Sequence, residues 1–122
     1  MYALLGSAFS FNFEDKILFL EDIGEKHYAL DRMLMGLELA GVFHKIKGLI
    51  IGGMINMGEE DGNPNYEQAF DELSYEIISK RTEKYSFPIA FGFPNGHIFD
   101  NRPLIIGANV KMKVGDKVEI SF

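Results

Sequence analysis

A carboxylate and an imidazole are the residue types in this chain best suited to moving a proton, and few positions offer them in a plausible setting. Glu21 and Asp22 follow the apolar run Lys16–Leu20, and His97 lies in Pro94–Pro103, a stretch rich in Gly, Asn, Asp and Pro. A carboxylate beside an imidazole fixes its tautomer and stabilises the imidazolium that forms during proton transfer. Each residue also has a plainer reading. An acidic residue after a strand serves equally as a solvated rim charge or a helix cap, and a loop histidine can simply satisfy backbone groups. Pattern alone leaves Glu21 and Asp22 as competitors for one role. His27, opening a helix, and His44, in the short basic turn Phe43–Lys47, are explained by solvent exposure.

No nucleophile accompanies them. Hydrolysis through a triad needs a serine on a constrained turn beside backbone N–H donors, as in the G-x-S-x-G elbow. Ser7, Ser10, Ser74, Ser79, Ser86 and Ser121 lack such glycine neighbours. The acidic run Glu59-Glu60-Asp61 has neither the spacing of a calcium loop nor a histidine for zinc, and Gly52-Gly53 and Gly92–Gly96 make no phosphate-binding G-x-G-x-x-G or Walker loop. No cofactor and no metal are expected.

The elements that must position Glu21 and His97 follow from apolar spacing. Lys16–Leu20 and Gly48–Gly53 read as strands buried on both faces, the first ending at Glu21-Asp22. Between them Leu30, Met33, Leu34 and Leu37 recur at helical spacing, which predicts a helix over 27–40 stopped by Gly41. Asn56–Asn65 reads as a surface loop. Tyr66–Tyr85, with Phe70, Leu73, Ile77 and Ile78 on one face, predicts a second main helix, and Pro88–Phe93 a third strand. Val110, Met112 and Val114 alternate with lysines before Gly115-Asp116 turns into Val118–Phe122, an antiparallel hairpin. Strand and helix in alternation imply a parallel sheet with right-handed crossovers, so the class is α/β with an added antiparallel part. Ligands of such sheets gather beyond the carboxyl ends of the strands. Glu21 and His97 are therefore expected on one rim, 97 − 21 = 76 positions apart, with a carboxylate oxygen near Nδ1.

Composition narrows the function classes. With 122 residues, 47% of them hydrophobic, the chain is the size of one domain with a buried core. Its formal net charge of −6 and scattered basic residues disfavour nucleic acid. The absence of cysteine excludes disulfides and suits a reducing compartment. Residues 1–10 lack the pattern of a secretion signal, and no apolar run is long enough to span a bilayer, so a soluble chain with no membrane partner is expected.

Three stretches carry a resemblance. KILFLEDIGEKHYALDRML at 16–34, GVFHKIKGLIIGGM at 41–54 and FGFPNGHIFDNRPLIIG at 91–107 resemble the carboxy-terminal domain of the LD-carboxypeptidase family, serine peptidases that include the microcin-immunity peptidases. The resemblance implies a swivelling-type domain with parallel and antiparallel sheets layered against helices. It also implies a Ser-Glu-His triad in which Glu21 of LEDIGE and His97 of GFPNGH supply the acid and the base. The serine would stand in a preceding domain that this sequence lacks, so residues 1–122 are expected to form one domain that is inactive alone. The implied reaction is hydrolysis of the L,D-peptide bond that releases terminal D-alanine from murein tetrapeptides in the cytoplasm, by a homodimer without metal. A microcin-like substrate and a non-catalytic binding or assembly module stay open. Phosphohistidine carrier domains also present one loop histidine, but in an SHxA context that is absent around His97.

Overall fold

Apolar content and crossover length together dictate the central sheet. In the computed structural model, which describes residues 1–58 and 70–122, β1 (Ile17–Ile23), β2 (Gly48–Ile55) and β3 (Ile89–Ala90) pair in parallel in the order β1-β2-β3. Every residue of β2 is buried, as a central strand covered on both faces requires. The antiparallel hairpin of β4 (Lys111–Val114) and β5 (Val118–Ser121) forms a second small sheet. The α/β class with a parallel sheet and an antiparallel part is thus the architecture observed.

Helix α1 (His27–Leu39) carries the chain from β1 back to β2 and buries Leu30, Leu34 and Leu37. Gly41, at φ 72°, takes the left-handed conformation that stops it. A short helix α2 (Val42–Lys45) fills what the sequence suggests is only a turn, placing Val42 and Phe43 in the core and leaving His44 exposed. Helix α3 (Glu72–Thr82) packs beside α1. The sheet steps in one direction from β1 to β3, so crossovers of the usual right hand put both helices on one face, consistent with the packing of α1 against α3. Arg81 ties them together through two hydrogen bonds to Asp31, at 2.6 and 2.7 Å.

Several expectations need correction. The second helix begins at Glu72, one residue after its cap Asp71; positions 66–69 of the expected helix, and 59–65 of the expected loop, lie outside the described residues. Its buried face is Ser74, Ile78 and Thr82, while Leu73 is 48% exposed. Small side chains at 74 and 82 allow α3 to approach its neighbours closely, and the bulkier Leu73 faces outward. The third strand is two residues long instead of six, because Gly92 turns to φ 72° and Pro94 cannot donate to a ladder. The first strand does not end at Glu21-Asp22 but runs through both to Ile23.

Candidate active-site rim

Glu21 sits inside β1 because β2 makes room for it. Leu20 pairs with Ile51 and Asp22 with Met54, so two residues, Gly52 and Gly53, stand opposite Glu21 in a bulge. Any side chain at Gly52 would bring a Cβ to 2.4 Å from the Asn95 carbonyl oxygen and 2.8 Å from the Phe19 ring. Only glycine lets the loop after β3 come this close. The Gly53 N–H then donates to Asn95 O at 3.0 Å, fastening that loop to the bulge.

The loop itself is cross-linked. Arg102 N donates to Pro94 O at 2.8 Å, the Asn95 side-chain amide donates to Arg102 O at 2.5 Å, and Gly96 N donates to Asn101 Oδ1 at 3.3 Å. His97 projects from this closed loop, and its Nδ1 lies 2.8 Å from Glu21 Oε2. The histidine side chain is 56% exposed and that of Glu21 27%. With the carboxylate ionised, Nδ1–H donates, and the ring is held in the tautomer whose Nε2 bears the lone pair. Among the described residues Nε2 has no protein partner. A lone pair so oriented can accept a proton from a hydroxyl brought to it and return the proton to a leaving group.

Asp22 does something else. Its Oδ1 accepts the Ile23 N–H at 2.8 Å. Burial holds its carboxyl above the usual range, the Ile23 N–H pulls it back, the charges of Glu25 and Glu21 raise it and that of His97 lowers it. It does not hold the His97 ring. Of the two competing carboxylates, the structure brings Glu21 to the imidazole.

Solvent exposure does not explain His27. Its side chain is 26% exposed, its ring packs on Gly58, and Nε2 lies 2.8 Å from Asp71 Oδ2. The same oxygen accepts the Ser74 N–H at 2.7 Å, capping α3. Sequence spacing gives no hint of this pair, since 44 positions separate its members. The clasp at Asn95 was equally hidden; the one available signal was the density of turn residues around it. Among the described residues no group of three or more His, Asp or Glu could hold a metal ion. None of the six serines hydrogen-bonds to His97 among the described residues; Ser74 is buried in α3 and the Ser7 hydroxyl donates to Leu4 O. On the segment beyond the histidine, Phe99, Ile105 and Ile106 are 100%, 59% and 79% exposed.

The chain is similar to known proteins in sequence and in fold. Residues 1–112 match the model of a family described as "LD-carboxypeptidase C-terminal domain". A Bacillus subtilis protein named "Probable murein peptide carboxypeptidase" is 29% identical over 118 residues, which are 95% of this chain and 34% of that protein. The crystal structure of muramoyltetrapeptide carboxypeptidase from Oxalobacter formigenes is similar with a TM-score of 0.76 and 27% identity, covering 98% of this chain and 39% of that one. The microcin C7 self-immunity protein MccF shares the fold at a TM-score of 0.58 and 22% identity, over 75% of this chain and 25% of its own. The chain spans between a quarter and two fifths of the length of these relatives.

Proposed function

Because the chain belongs to the LD-carboxypeptidase C-terminal domain family, we propose that residues 1–122 are the acid-and-histidine half of a serine-type murein peptide carboxypeptidase, with Glu21 and His97 as its catalytic residues. The observation that carries this reading is the 2.8 Å contact between Glu21 Oε2 and His97 Nδ1, which leaves Nε2 without a protein partner among the described residues. In the proposed reaction, Nε2 takes the proton of a serine as its oxygen attacks the carbonyl of the L,D-peptide bond. The imidazolium, stabilised by Glu21, then protonates the departing D-alanine nitrogen. Water repeats the sequence on the acyl-enzyme and frees the shortened peptide.

The serine and its oxyanion donors would come from a domain outside these 122 residues. Phe99, Ile105 and Ile106, exposed on the segment that follows His97, suit a surface that such a domain covers. A cytoplasmic homodimer is the compartment and assembly this reading carries with it. Murein peptide is preferred to a microcin-like substrate because the likeness to MccF extends only to the fold.

The test is D-alanine release from murein tetrapeptide, followed by mass spectrometry. The chain alone should release none, and adding the serine-bearing domain of a relative should restore release. Turnover by the rigorously purified chain overturns the division of labour. Failure of two folded, associated halves to act overturns the catalytic reading in favour of a binding or assembly module.

A further inference from the structure

The reach of Asn95 goes beyond that of an ordinary loop residue. Its N–H donates to Phe93 O at 2.8 Å, its carbonyl accepts from Gly53 N at 3.0 Å, and its side-chain amide donates to Arg102 O at 2.5 Å. The first bond tightens the turn at Phe93, and the second fixes residue 95 against the β2 bulge that stands opposite Glu21. The third closes the far end of the loop onto the same point. His97 is two residues along, and between them Gly96, at φ 118°, passes so close to Glu21 that a Cβ there would lie 2.8 Å from Oε2. A shift of the 94–102 loop by a fraction of that distance would separate Nδ1 from the carboxylate.

We propose that Asn95 is a positioning residue, whose side-chain clasp on the Arg102 carbonyl sets the His97 ring against Glu21 and thereby fixes its tautomer. The inference rests on the reading of Glu21 and His97 as a dyad. It assigns to a side chain outside that dyad the task of holding the base in register, as groups behind a reacting side chain do elsewhere.

Asn95→Asp keeps the size of the side chain and replaces the donor with an acceptor facing a carbonyl, and Asn95→Ala removes the contact. Both are to be made in the full 122-residue chain labelled with ¹⁵N, and the His97 imidazole nitrogens read by long-range ¹H–¹⁵N NMR at neutral pH. The native ring should show a protonated Nδ1 and a bare Nε2. In both variants the Nδ1–H resonance should be lost and the ring shift toward the Nε2–H tautomer, while amide resonances of α1 and the first half of β2 stay in place. Arg102→Ala, which retains the accepting carbonyl and loses only the guanidinium paired with Asp100, should keep the native tautomer.

Variants that lower the melting temperature but retain the native tautomer would make Asn95 merely structural and overturn the inference while sparing the dyad. A tautomer shift in Arg102→Ala as large as in the Asn95 variants overturns it too, since the loop as a whole, not the amide, would then hold the ring. A native ring without Nδ1–H overturns the dyad and this inference together. Should either variant lose its fold, the scalar coupling across the bond from Asn95 Nδ2–H to the Arg102 carbonyl in the native protein decides: a detectable coupling supports the clasp and its absence overturns it.

Discussion

A Cβ at position 96 would stand 2.8 Å from Oε2 of Glu21, the same distance at which that oxygen meets His97 Nδ1. The glycine of GFPNGH is therefore required twice, by its φ of 118° and by the carboxylate beside it. Gly96→Ala should cost about 1–3 kcal/mol of stability from backbone strain and also displace Glu21 from the histidine. Gly6→Ala, at φ 76° with open space around its Cβ, isolates the strain alone. Chemical denaturation should show both variants destabilised. Only Gly96→Ala should alter the His97 imidazole signals.

On the proposed function, removing either Glu21 or His97 should abolish hydrolysis by the assembled enzyme without unfolding the domain, because both side chains lie on the rim and not in the core. His97→Ala should lower kcat by about 10³–10⁴-fold or more, and Glu21→Gln by a comparable factor through loss of the orienting charge. Steady-state kinetics on murein tetrapeptide is the measurement. A Glu21→Gln enzyme with undiminished kcat would remove Glu21 from the mechanism.

The parallel sheet, α1 and the hairpin were legible because each buries an unbroken or periodic apolar set, which is a local property of the sequence. The rim on which Glu21 and His97 meet was legible for a related reason, since parallel strands joined by crossovers return their carboxyl ends to one edge. Other features depend on contacts between distant segments. Glycine is needed at position 52 because the Asn95 carbonyl and the Phe19 ring crowd β2 there, and a run of apolar residues and glycines cannot reveal that. Helix α3 misled for the opposite reason: one of its apolar residues, Leu73, faces out, and its buried stripe contains, beside Ile78, a serine and a threonine whose hydroxyls leave no amphipathic mark. The Thr82 hydroxyl is spent on the Ile78 carbonyl at 2.7 Å within the helix itself.

Acid should weaken the domain through Asp71. Burial pushes its carboxyl up, but the hydrogen bonds from His27 and from the Ser74 backbone N–H outweigh that and leave it below the usual range. A carboxylate whose folded pKa lies below its unfolded value, about 3.9, stabilises the fold above that value and loses the contribution as pH falls toward the folded pKa. Asp71→Ala should cost about 1 kcal/mol at neutral pH, the usual worth of an N-cap, and flatten the fall in stability below about pH 4. Urea midpoints measured from pH 2 to pH 7 would show it. An unchanged acid limb would mean that the cap contributes no charge-dependent stability.

Asp22 should behave in the reverse sense. Its carboxyl is held above the usual range first by burial and then by the like charges of Glu25 and Glu21, which outweigh the help it receives from the Ile23 N–H and from His97. A raised folded pKa means that the folded state binds a proton more readily than the unfolded chain. The ionised Asp22 therefore costs stability at neutral pH, and that cost disappears as pH falls through the folded pKa and then the unfolded one. Asn at this position retains an oxygen to accept the Ile23 N–H, so Asp22→Asn removes the buried charge and keeps the hydrogen bond. The variant should melt at a higher temperature than the native chain at pH 7, and the gap should close in acid. In the assembled enzyme it should leave kcat within a few-fold of native, where Glu21→Gln does not. The two adjacent carboxylates are thereby separated by experiment: if Asp22→Asn melts lower at pH 7, or loses hydrolysis as fully as Glu21→Gln, then Asp22 and not only Glu21 supports the imidazole, and the assignment of the acid to position 21 alone is wrong.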